Sequence, residues 1–190
     1  MAFSLREYWT AIHGMALGFG FVLFFTASLA LLLTLQPELL TPQGLRRNVI
    51  LLKISGLVIA ILSWLAVIVG TWIVYPWYRA TPPSGTTDLN GFPRSHLLAM
   101  PAVSGWHNFG MEWKEHVAWL VPMAITMAAA VFSRYGRNLR NQPQLRSAVL
   151  AFVWISLLAA GIAGFFGAMI NKHAPVEGGA TIRLMEGAEK

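Results

Sequence analysis

The chain of 190 residues contains no cysteine. That absence excludes disulfides, thiolate zinc sites, cysteine-ligated iron–sulfur clusters and thioether-attached haem, all of which take sulfur from the protein. Any metal centre has to rest on histidine, methionine, carboxylates or the backbone. Charge is scarce as well. Charged residues make up 12% of the chain, about half of the roughly 25% usual in globular domains. Acids are the rarer sign, 8 against 14 lysines and arginines, for a formal charge of +6. The excess base forms no stripe with interleaved aromatics, so no nucleic-acid partner is expected. Also missing are internal repeats, a Ser–His–Asp order, a phosphate loop and metal-hydrolase spacing. The chain is therefore not expected to catalyse a reaction alone, and a non-catalytic or redox-relay subunit is the class that remains.

What is abundant is apolar side chain. Hydrophobic residues make up 56% of the chain, and the mean hydropathy is +0.56. The first partner is thus the lipid bilayer. Crossing its core takes about 20 mainly apolar residues. Four segments qualify, over residues 10–35, 49–75, 115–133 and 147–170. The expected fold is all-α: one integral-membrane four-helix bundle over residues 1–175, with a long loop over 76–111 and a tail over 176–190. Ser4 and Glu7 have capping-box spacing, which places the first helix start near Leu5, with Trp9 at the interface. Pro76 ends the second span beside the aromatic anchor "YPWY", and Pro122 predicts a kink in the third. The first apolar run is too long for a secretory h-region and no A-x-A site follows, so cleavage is not expected.

The loops orient the bundle. Arg46, Arg47, Lys53, Arg134, Arg137, Arg140 and Arg146 crowd the two short connections. Arg6, Arg79, Arg94, Lys114, Lys172, Arg183 and Lys190 are spread over the long loop and both tails. Short loops dominate the positive-inside rule. Both termini and the 76–111 loop are therefore expected outside, in the periplasm of a bacterial cell, with the spans in its inner (plasma) membrane. Within the loop, "TPPSGTTDLNGFP" is a run of turn formers. "SHLLAMPAVSGWHNFG" is apolar but too short to span, and is expected to lie on the membrane surface or cover the mouth of the bundle.

Two histidines stand inside apolar runs, His13 in "TAIHGMALGFGF" and His116 in "EWKEHVAWLVPMA". Counted from the basic ends, His13 lies about 33 Å along the first helix and His116 about 27 Å along the third, within about one turn in depth. Intramembrane ionisable groups are functional candidates by default. Two imidazoles at matched depth suit the axial positions of one haem iron. Gly14 and Gly18 leave room for a flat macrocycle, and Trp119 offers a ring to pack on it. His107 and His173 are secondary metal-ligand candidates at the outer surface, and His96 lies in the loop. The plainer readings are interfacial wetting for the histidines, ordinary helix packing for the glycines, and a polar helix cap for Glu112, Lys114 and Glu115.

On these residues the chain resembles the four-helix membrane b-type cytochromes, the cytochrome b561-like carriers. The shared features are the span count, a histidine early in the first helix ("AIHGMALGFGF") and one opening the third ("KEHVAWL"). The resemblance implies one haem b held by His13 and His116, quinone as a further ligand, and a larger membrane redox complex as partner. Spans two and four hold no histidine, so a two-haem arrangement with four intramembrane ligands is not available. The expected function is electron relay between the quinone pool and a partner redox protein, from one b-type haem near the outer face. The alternatives are a cofactor-free anchor or assembly subunit, and a (bacterio)chlorophyll-binding subunit in which each histidine ligates separately.

Overall fold

A computed structural model describes residues 2–36, 40–174 and 181–183. Four long helices dominate it: Leu5–Leu33, Pro42–Tyr78, Trp106–Tyr135 and Pro143–His173, here spans 1 to 4. Their most apolar windows have mean hydropathies of 1.6 to 2.6, and each is long enough to cross a bilayer. All four are longer than the hydropathy pattern predicts. Most of the expected tail, 176–180 and 184–190, lies outside the described residues.

The local signals act where the sequence puts them. Ser4 Oγ accepts from the Glu7 amide at 3.2 Å, and Glu7 Oε2 accepts from the Ser4 amide at 2.7 Å, completing the capping box. Thr41 caps span 2 by accepting from the Gly44 amide, with Pro42 in the first turn, where a missing N–H costs nothing. Pro122 breaks span 3. It has no N–H to offer the Ala118 carbonyl, which is taken instead by the Val121 amide three residues on, and regular helix resumes at Leu120.

Successive spans pack side by side, and span 4 closes back on span 1 along residues 17–33. Spans 1 and 3 are therefore diagonal. The core is apolar, with Leu32, Leu52, Ile59, Ile125, Phe132 and Val153 sealed inside. Spans 2 and 3 pack closely at Gly56, where an added Cβ would sit 2.6 Å from the Phe132 ring. Polar contacts between spans include Ser28 Oγ donating to Ser55 Oγ at 2.9 Å, Trp64 Nε1 to Thr126 Oγ1 at 3.0 Å, and Ser156 Oγ to the Val121 carbonyl at 3.2 Å. Between 22% and 39% of each span's apolar window is buried inside the bundle. The outward remainder, including Phe19, Leu57, Met123 and Leu158, is surface that suits lipid or a membrane neighbour and not water.

The two ends of the bundle differ. At one end the short connections are tied together, with Arg146 donating to the Leu35 carbonyl and Asn48 Nδ2 to Thr34 Oγ1. At the other end the loop is folded down. It holds a short helix, Pro93–Ala99, whose Leu97 packs into a small core with Tyr78, Met111, Ile170 and Ala174. Arg6 Nη1 donates to the Gly91 carbonyl at 2.9 Å, so the loop covers the mouth of the bundle. The same end carries an antiparallel pairing of Ala2–Ser4 with Thr181–Arg183, which the sequence does not signal. The expected loop is also shorter at its far side, because span 3 begins at Trp106. Phe109 meets Phe166 edge-on with centroids 5.6 Å apart, and such packing on span 4 stabilises helix where hydropathy alone gives none.

Candidate functional site at the loop-bearing end

Three widened, π-helical turns fall at this one end: Ile12–Ala16 in span 1, Gly70–Val74 in span 2 and Trp106–Met111 in span 3. Such turns shift helical register and concentrate at functional sites. Here they surround the polar residues of the bundle.

His13 lies in the first of them. Its ring rests on Gly70, where a Cβ would sit 2.7 Å from Cε1, so only glycine leaves the seat open. The ring also lies beside the Ala66 carbonyl, while Nδ1 is buried with no hydrogen-bond partner among the described residues. Across the bundle the charged group within electrostatic reach is Lys114. Its Nζ reaches toward span 4 and stands 3.0 Å from where a Cβ on Gly167 would be. Among the described residues Lys114 forms no ion pair. Glu115 lies beside the Tyr75 hydroxyl, and its Oε1 is buried and also without a partner. Arg79 Nη1 donates to Tyr75 Oη at 2.7 Å and its guanidinium lies over the Tyr75 ring.

The expected pairing of His13 with His116 is not formed. Two residues along a helix turn a side chain by about 200°. With Lys114 pointing inward, His116 points out, and its side chain is exposed. Matched depth therefore brings Lys114, not His116, to face His13. His116 Nδ1 lies 2.7 Å from the Glu112 carbonyl oxygen one turn back. Trp119 stays with His116 on span 3, in edge contact with Trp64 and Trp72 of span 2 at 6.3 and 6.1 Å. Gly14 and Gly18 are on diagonal span 1, where an added Cβ would meet nothing within 4 Å. They line neither a helix contact nor the His116 face. A haem ligated by both His13 and His116 inside the bundle does not fit this arrangement.

The secondary candidates also resolve. His107, expected at the surface, is 5% exposed. Arg94 Nε donates to its Nε2 at 3.3 Å, so the ring proton sits on Nδ1, 2.9 Å from Tyr78 Oη. Both nitrogens are committed to holding the loop on the bundle, and neither is free for a metal. His173 is partly buried and stacks on Trp106, with planes 6° apart and centroids at 6.0 Å. His96 is partly buried on the Pro93–Ala99 helix. Among the described residues no three His, Asp or Glu side chains converge as a metal site.

Sequence reasoning treated Lys114 and Glu115 as a helix cap and Tyr75 and Tyr78 as an interfacial belt. The usable signal was angular: Lys114 lies on the far side of its helix from His116. Comparison of the chain with family models, curated proteins and solved structures gave no match.

Proposed function

We propose that the chain is a membrane electron-transfer subunit that carries one b-type haem on the outward face of span 3, where His116 would hold its iron, against a partner subunit of a larger redox complex. The supporting observation is the contact of His116 with its own helix. A carbonyl only accepts, so the 2.7 Å contact to Glu112 fixes the proton on Nδ1. The Nε2 lone pair is then free and directed away from the bundle. Metal-ligating histidines are oriented in this way, the second ring nitrogen donating to a carbonyl that fixes tautomer and ring plane.

The surroundings suit a flat apolar macrocycle. Leu120, Met123 and Met127 continue the exposed stripe below His116, four, seven and eleven residues on and so on one helical face. Trp119 and the 62% exposed Trp72 border it with aromatic surface. When bound, haem supplies one-electron chemistry. His116 would hold the iron, the Glu112 carbonyl fixes the imidazole, and the methionine and tryptophan side chains would exclude water. The exchange with the quinone pool is supported by the inner cluster. An amine at Lys114 within electrostatic reach of His13, whose buried Nδ1 has no hydrogen-bond partner among the described residues, suits a polar head group that forms hydrogen bonds. Placement in the inner (plasma) membrane with both termini outside is supported by the arginine-rich short connections.

A second reading, a cofactor-free anchor or assembly subunit, draws on the open faces at Gly14 and Gly18 and at Gly161 and Gly164, none of which is covered by another helix. Absorption spectra of the complex, purified in mild detergent from its own membranes, separate the two. A Soret band that survives His13→Ala and disappears in His116→Ala is expected. A colourless wild type, or a spectrum unchanged by His116→Ala, overturns the haem reading. Organic extraction then distinguishes haem from (bacterio)chlorophyll at the same histidine.

A further inference from the structure

The opposite, loop-poor end carries a feature that electron transfer does not use. Span 2 opens there with a groove of about 420 Å³ lined by Gln43, Arg46, Arg47, Ile50 and Leu51. Its upper part is two exposed guanidiniums and an amide; one turn deeper are two exposed aliphatic side chains. Neither Arg46 nor Arg47 makes an ion pair or hydrogen bond among the described residues. Below the groove, Ile54, Leu57 and Ile61 continue the outward face, so that an apolar rail of about 16 Å runs from Ile50 to Ile61 at 1.5 Å per residue. Among the described residues no acidic side chain lines the groove.

We propose that this groove is a specific site for an anionic phospholipid, with its phosphate between Arg46 and Arg47, its glycerol near Gln43, and an acyl chain along Ile50, Ile54, Leu57 and Ile61. Three features select this occupant together. The charge is positive and uncompensated among the described residues, which calls for an anion. Guanidinium forks match phosphate oxygens. The apolar rail begins one turn below the charges and runs into the membrane-spanning part of the helix, which suits a molecule with a charged head and a long tail. A free phosphate would use the head of the groove and leave the rail unused. Anionic head groups attract juxtamembrane cations by about 1 kcal/mol each.

Native mass spectrometry of the full chain from mixed micelles tests this, with phosphatidylglycerol and phosphatidylcholine offered at equal concentration. We expect one phosphatidylglycerol to be retained in preference to phosphatidylcholine. The double change Arg46→Gln and Arg47→Gln should weaken retention about thirtyfold, the loss of two such cations. Arg134→Gln with Arg137→Gln removes the same charge from exposed positions at the same end, and should weaken it less than threefold. Equal losses in both double variants, or no preference for the anionic lipid, overturn the proposal. So does displacement of the lipid by millimolar inorganic phosphate, which would make the site one for phosphate alone.

Discussion

Lys114 is the residue whose placement changes the reading most. It carries an amine into the bundle between His13 and Gly167 and forms no ion pair among the described residues. Burying an uncompensated charge is unfavourable. Lys114→Met keeps the length of the side chain and should raise stability by about 1–3 kcal/mol, read as a higher midpoint of thermal unfolding in detergent. A lower midpoint would mean that the amine is held by a group that methionine cannot replace. Tyr78 gives the opposite case. It is 6% exposed and its hydroxyl meets the Nδ1 of buried His107. Tyr78→Phe strands that N–H and should cost about 1–3 kcal/mol. Ser104→Ala, whose hydroxyl donates to the Pro101 carbonyl in an exposed turn, should cost well under 1 kcal/mol. Equal losses in the two variants would remove the special role of the His107 contact.

At the scale of the element, two backbone features can be checked separately. Pro122→Ala returns an N–H to the Ala118 carbonyl. The amides of 118–122 should then exchange with solvent several times more slowly, and unchanged exchange would show that something other than the missing donor breaks span 3. Gly56→Ala places a methyl against the Phe132 ring at a close contact of spans 2 and 3, and overpacking of this kind costs about 1–3 kcal/mol. The same substitution at Gly161, where no neighbour lies within 4 Å of the new Cβ, should leave the unfolding midpoint unchanged or slightly raised. These element-level features differ in how plainly the sequence shows them. Ser4 with Glu7, Thr41 with Pro42, and Pro122 are local chemistry, and the chain reads as it folds at each. The start of span 3 at Trp106 is tertiary in origin: Trp106, Phe109 and His107 are ordered by spans 2 and 4, and no pattern within 106–114 announces it.

For the molecule as a whole, hydropathy determines the architecture, because four apolar runs of this length have few other ways to satisfy their backbones than as spanning helices. Depth was legible for the same reason, since 1.5 Å per residue is a fixed ruler. Facing was not. A π turn adds a residue to a helix and rotates everything beyond it, and both His13 and His116 lie in or beyond such turns. A match in depth therefore carried no information about whether the rings meet. The basic, loop-poor end was legible as charge, yet the groove beside Arg46 and Arg47 appears only once Ile50 and Leu51 are seen beneath them.

The absence of cysteine makes the orientation of span 3 directly measurable, since a single introduced thiol is the only labelling site. A nitroxide is attached in turn at Lys114→Cys and His116→Cys, in bilayers, and its collision rate with dissolved oxygen is read by electron paramagnetic resonance. We expect the label at 116 to collide freely, as a lipid-facing site does, and the label at 114 to be shielded by several fold. A shielded label at 116 beside an accessible one at 114 would return His116 to the interior opposite His13 and contradict the outward-facing haem site.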